Sequence, residues 1–184
     1  MKYLKLYEGF RSDVKDLYKN YIKAKLEVDN MIDEYDNIVK KYLPILSEIS
    51  TPLQDEFNDF KIDVINPDIT KNALKSFKLD KIQSAQFAIR TTMDKNIDYG
   101  LLQAILTDFY SDIKFYKNEL DFERISCSVF GLIGNRLIGK NGETLKGGES
   151  ISNPTTINEI ISTIKMYNDE YNVDKVKMNF LFFI

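Results

Sequence analysis

Apolar residues recur at alternating steps of four and three from Phe10 onward: Phe10, Val14, Leu17, Tyr21, Ala24, Val28, Met31, Tyr35, Ile38, Tyr42, Ile45 and Ile49. Tyr3 and Tyr7 extend the row backwards. A mean spacing of about 3.5 keeps one seam of a helix turned towards a partner along its whole length. The pattern predicts a helix over 3–43, and at ~1.5 Å per residue that is a rod about 60 Å long. In heptad terms Val14, Tyr21, Val28, Tyr35 and Tyr42 occupy a, and Leu17, Ala24, Met31 and Ile38 occupy d. Tyr18, Ile32, Val39 and Leu46 widen the stripe at e, while Asp13, Asn20, Glu27, Glu34 and Lys41 keep g polar. A stripe this wide suits a bundle better than a strict two-stranded zipper. Tyrosines at three a positions also ask for a partner surface with room for phenol rings. The candidate interaction seam is therefore Val14, Leu17, Tyr21, Val28, Met31, Tyr35, Ile38 and Tyr42. Pro44 cannot continue the hydrogen-bond ladder and predicts a break or kink near Leu43, with 44–49 keeping the phase beyond it.

Further along, Ser50-Thr51-Pro52 reads as a helix start, and a short helix to about Phe60 follows. Asn66-Pro67-Asp68 is a turn signal. Two or three helices are expected over 68–120. The strongest carries Leu102, Ile105, Phe109, Ile113, Tyr116 and Leu120 on one face, and is the expected antiparallel partner of the first rod. At about Phe122 the period changes to two: Ile125, Cys127 and Val129 alternate with polar residues. Gly134-Asn135 and Asn141-Gly142 are two-residue turn signals, the second favouring type I′ because both central residues then need positive φ. They predict a meander over 122–133, 136–140 and 143–146. Thr156 and Glu159 form a capping box for a helix that buries Ile157, Ile160, Ile161, Ile164 and Tyr167. Val176, Met178 and Phe180 alternate before the apolar run 180–184, which predicts a buried strand or an oligomer contact. The fold class expected is α+β: a helical arm or bundle over 1–120, then a small antiparallel sheet with one packed helix over 121–184.

Composition narrows the chemistry. The chain of 184 residues has no histidine and one cysteine, Cys127. A Ser-His-Asp triad, a Cys-His dyad, an HExxH zinc site and a zinc ribbon are all beyond its means. No intramolecular disulfide can form, and Cys127 within an alternating apolar run reads as a small core side chain. Carboxylate clusters at Asp29, Asp33, Glu34 and Asp36, and at Asp55, Glu56, Asp59 and Asp63, read as solvated helix faces rather than a paired-acid or metal site. The 25 basic and 28 acidic residues nearly balance, and only four of the bases are arginines, so no global field draws in nucleic acid. The eleven tyrosines and twelve phenylalanines fall at core spacing rather than forming a base-stacking platform. No apolar run approaches the roughly 20 residues of a membrane span, and 1–10 lacks the core of a secretory signal. An intracellular setting, in a host cytoplasm or in a virion, and no membrane partner are the expectation.

Two short segments resemble known families. Leu137-Ile138-Gly139-Lys140-Asn141-Gly142-Glu143-Thr144-Leu145 is similar to the KH nucleic-acid-binding signature, in which a G-x-x-G loop between two helices clamps a single strand. The resemblance implies that Gly139 and Gly142 admit a nucleic-acid backbone and that Lys140, beside Asn141, meets phosphate. It departs from the family where Gly147-Gly148 breaks the second helix and Gly131 and Gly134 fall in the first. A hairpin explains the same glycines by turn geometry. The first ten residues resemble the capsid-targeting leaders of large tailed-phage head proteins. Leu6-Tyr7-Glu8 matches the triplet after which the head protease of that family cuts, a triplet also met at Ile32-Asp33-Glu34, Leu46-Ser47-Glu48 and Ile157-Asn158-Glu159. The resemblance implies a virion protein shortened to Gly9.

The expectation drawn from all this is a structural or protein-interaction protein without enzymatic activity or cofactor. It would be phage-encoded and virion-associated, and would assemble as a homo-oligomer or with virion subunits through the long helix and the apolar C-terminal strand. A single-stranded nucleic-acid binder and an inhibitor of a host defence protein are the alternatives.

Overall fold

The computed structural model describes residues 2–57, 59–65, 86–116, 119, 122, 124–145 and 152–183; within the first helix it describes the side chains of residues 14–30, 32–34 and 36–49. The described elements are α1 (Lys2–Ile49), α2 (Thr51–Glu56), β1 (Lys61–Ile65), β2 (Gln86–Asp94), α3 (Tyr99–Phe115), β3 (Arg124–Ile133), β4 (Arg136–Ile138), α4 (Ile157–Asp169) and β5 (Lys175–Phe183). The fold is α+β. The chain divides into two compact units, one of Met1–Val39 with Asn66–Gln83 and one of Lys40–Ile65 with Ser84–Ile184. In the first unit the described element is α1 as far as Val39.

The second unit is built on a five-stranded antiparallel sheet in the order β1-β2-β5-β3-β4. The final strand lies at its centre. Its neighbours are β2, with Phe87 opposite Phe182 and Ile89 opposite Phe180, and β3, with Cys127 opposite Phe180 and Val129 opposite Met178. Strand alternation sends Val176, Met178, Phe180 and Phe182 to one face, where all four are fully buried. The helices cover that face. Phe109 of α3 lies 4.8 Å from Phe180, ring centre to ring centre. The Tyr167 hydroxyl of α4 donates to the Val129 carbonyl at 3.3 Å. Tyr42, in the last turns of α1, stands 6.2 Å from Phe87 and 5.5 Å from Phe122.

Gly131 explains how closely α4 can approach. A Cβ there would come 2.5 Å from Val173 Cγ1 and 3.0 Å from Tyr167 Cδ1, so the absence of a side chain is a packing requirement. The start of α4 is held as its sequence indicates. Thr156 accepts from the Glu159 N–H at 3.2 Å, and the Glu159 carboxylate accepts from the Thr155 and Thr156 N–H groups at 2.7 and 3.2 Å. Its buried face is Ile160, Ile161, Ile164 and Tyr167, with Ile157 half-buried.

Several expectations need correction. Of the break or kink expected at Pro44, the break does not occur: α1 runs on to Ile49, with 44–49 in phase as expected. An interior proline costs a helix ~3 kcal/mol. Here Tyr42, Leu46 and Ile49 are all buried beside it, and each such side chain returns about 1.5–3 kcal/mol. Burial on both sides of the proline therefore outweighs the broken bond.

The stretch expected to be helical up to 120 contains two strands, β1 and β2, so 120/121 is not a boundary between helices and sheet. In β2 Phe87, Ile89, Thr91 and Met93 are buried at a period of two, with Ala88 buried between the first two, and the β-branched Ile89, Thr91 and Thr92 suit a strand. The part of the expected helices at 68–85 lies outside the described residues. Helix α3 exists, but its face packs elsewhere than along the length of the long helix: Leu102, Ile105, Leu106 and Phe109 are buried in the second unit, on the sheet and beside α2, and Tyr116 at its end donates to Glu48 of α1. Leu120 lies outside the described residues. The C-terminal strand, expected to take part in assembly, has both edges paired within the chain and none left to offer.

Candidate interaction surface

The seam read from the sequence divides along its length. Val14, Leu17 and Tyr21 are 48%, 68% and 50% exposed. Val28 and Ile38 are half-buried, and Tyr42 is buried at 4% in the core of the second unit. The side chains of Met31 and Tyr35 lie outside those described. Tyr18 and Ile32, on the e flank, are also exposed, at 65% and 38%. So, among the described residues of α1 in the first unit, the apolar seam is exposed at Val14, Leu17 and Tyr21 and half-buried at Ala24, Val28 and Ile38. Large exposed apolar patches of this kind mark interaction surfaces.

On the described part of α1, Ile22 and Leu26 are exposed apolar residues that lie off both the seam and its e flank. With Val14 and Tyr18 they make a row at steps of four, which winds off the a/d line. The four-residue spacing was the signal that could have found them.

The Gly139–Gly142 loop joins β4 to Thr144, which bridges back to Ile138. It is a hairpin rather than a joint between two helices. The turn also differs from the expected type I′. Gly142 has φ +79°, whereas Asn141 is not among the residues of positive φ. The Gly142 N–H donates to the Gly139 carbonyl at 3.0 Å, and the Gly139 N–H donates to the Glu143 carbonyl at 2.9 Å. This is a type I turn followed by a left-handed glycine, the three-residue hairpin geometry. The loop's donors are occupied from within: the Asn141 N–H also donates to Glu143 Oε2 at 3.0 Å. The Glu143 carboxylate lies against the open side of Gly139, and the Tyr171 ring lies against Gly142. Lys140 is exposed, and its carbonyl accepts from the Tyr171 hydroxyl at 3.0 Å. A carboxylate where a phosphate would have to approach sets the local charge against an anionic ligand.

The carboxylate clusters stay apart. Asp29, Asp33, Glu34 and Asp36 are exposed on α1, and among the described residues no group of three or more acidic or cysteine side chains converges on a point where a metal ion would sit. Asp63 departs from the solvated reading: it is half-buried, paired with Lys61, and its Oδ2 lies 3.1 Å from Arg90 Nη1 across the β1–β2 ladder.

Cys127 is buried in the sheet, and burial pushes its thiol up to about 12, so it holds its proton at neutral pH. Burial, with a smaller contribution from Cys127, raises the Tyr110 phenol well above its ordinary value. The Tyr116 phenol is raised to about 12, chiefly because it donates to the Glu48 carboxylate at 2.6 Å. Each of these shifts favours the neutral, inert form, the reverse of what a nucleophile or base requires.

Among the described residues no helix is long and apolar enough to cross a membrane. No protein-family model matches this chain, and no curated protein and no solved structure matches it.

Proposed function

We propose that this chain is a non-enzymatic structural or protein-interaction protein that works through the apolar face of α1. The observation that carries the reading is the exposure of Val14, Leu17 and Tyr21 on a helix whose apolar period persists for more than ten turns. Leaving such side chains in water forfeits about 1.5–3 kcal/mol each relative to burial, and a partner recovers that energy. The leader-like first ten residues suggest a phage head as the setting, with Gly9 as the mature N-terminus.

Cross-linking followed by mass spectrometry, on the protein in its source particle or cell, tests this. Cross-links from Lys15, Lys19 and Lys23 to another polypeptide are expected, and they should vanish in the Leu17→Asp/Tyr21→Asp double variant while its circular dichroism is unchanged. Cross-links that survive those substitutions would remove the face from the proposal. The same spectra report whether the chain begins at Met1 or Gly9.

A further inference from the structure

We infer that Asn141 is a self-modification site, at which the Gly142 backbone nitrogen displaces the Asn141 side-chain amide, and that the hairpin after β4 holds this reaction back. The site belongs to the second unit and does not depend on the reading of α1.

The sequence supplies the reactants. Asn141 is followed by glycine, and no other asparagine of the chain is. With no Cβ on the following residue, its backbone nitrogen has unhindered access to the asparagine side chain. In the reaction the Gly142 nitrogen gives up its proton and bonds to Asn141 Cγ. The Cγ–Nδ2 bond breaks, and the amide takes up a proton and leaves as ammonia. A five-membered succinimide ring remains. Water then adds to one of the two ring carbonyls. The product is aspartate or isoaspartate, the second with Cβ in the main chain. Water is the one co-reactant, and Lys140, Asn141 and Gly142 are all exposed to it.

The fold supplies the restraint. The Gly142 N–H donates to the Gly139 carbonyl at 3.0 Å, and a donor bonded in this way keeps its proton. The Asn141 N–H donates to Glu143 Oε2 at 3.0 Å, which sets a carboxylate where a second negative charge would have to form. Ring closure also needs the Gly142 nitrogen eclipsed with Asn141 Cβ. That is about a third of a turn in ψ from the ~0° of this position in a type I turn. Such a rotation swings the Gly142 N–H off the Gly139 carbonyl. Tyr171 braces the turn against it. Its hydroxyl donates to the Lys140 carbonyl at 3.0 Å, and its ring fills the space beside Gly142 where a Cβ would stand. The reaction therefore starts from the opened turn, and its rate follows the population of that open form. Isoaspartate would lengthen the main chain of a three-residue turn and place a new carboxylate beside Glu143, so the original bonding is lost once it forms.

The test holds the full chain in mildly alkaline buffer, folded or unfolded in urea, and follows each asparagine by peptide mapping and mass spectrometry. Asn141 should convert before every other asparagine in the unfolded chain, and about tenfold more slowly in the folded one. Tyr171→Phe keeps the ring and loses the hydroxyl bond. It should quicken conversion of the folded chain about threefold and leave the unfolded rate unchanged. Glu143→Gln should also quicken the folded chain. Cooperative unfolding shows that each variant is folded, and Asn141→Gln should abolish the product. No conversion at Asn141 in the unfolded chain would overturn the site. Equal rates in the folded and unfolded chains would overturn the restraint. Slower conversion in Glu143→Gln would make that carboxylate a base for the reaction and overturn its restraining role.

Discussion

The two ends of α1 obey one sequence rule and meet opposite fates. Tyr42, Leu46 and Ile49 continue the apolar period of Val14, Leu17 and Tyr21 without a change of phase. The first three are buried in the second unit; the last three stand in solvent. A helical period records that a face exists. It does not record whether the surface that covers it belongs to the same chain.

The largest expected effect separates those two ends directly. Leu46→Ala should lower unfolding free energy by roughly 2–5 kcal/mol, the cost of a core cavity. Leu17→Ala, measured at protein concentrations too low for association, should stay within about 0.5 kcal/mol of wild type. Denaturant titration checks both. Equal effects would mean that Leu17 is packed within the monomer, and the comparison would fail.

Gly131→Ala comes next. Its methyl group must displace Val173 and the Tyr167 ring, so a loss of about 1–3 kcal/mol is expected, as for other overpacked sites. The same substitution should leave the exposure of Leu17 and Tyr21 on α1 untouched, which sharpens the independence of the two regions.

The smallest effect is a pH dependence. Hydrogen bonds from the Thr155 N–H and hydroxyl hold the Glu159 carboxyl below its ordinary value. Its folded pKa is thus lower than its unfolded one. The stability it contributes is complete above the unfolded value and is lost as pH falls through the lowered folded value. Glu159→Gln should flatten that acid-side slope in the thermal midpoint by a small amount, because the group is exposed.

Local signals survived the passage from sequence to fold. The capping box at Thr156, the α4 face, the strands at Arg124–Ile133 and Lys175–Phe183, and the first turn at Gly134-Asn135 all sit where residue chemistry placed them. Each is decided within a few residues, by caps, φ preferences or a period of two or 3.6. Strand β2 was missed although Phe87, Ile89, Thr91 and Met93 alternate, because Ala88 and Met93 fit a helix equally well and nothing nearby arbitrates. Register against β5 arbitrates, and that is a contact between residues about ninety positions apart.

The long helix, the α+β class and the exclusion of histidine-based and multi-cysteine chemistry were thus determined by the chain's own residues. Spacing and the presence or absence of histidine and cysteine are local properties. The tertiary structure alone decided that the last strand is the centre of the sheet, that Pro44 stays inside a helix, and that the seam is buried at one end and bare at the other. Those outcomes depend on free energies of burial summed over distant partners, and no short stretch of sequence contains them.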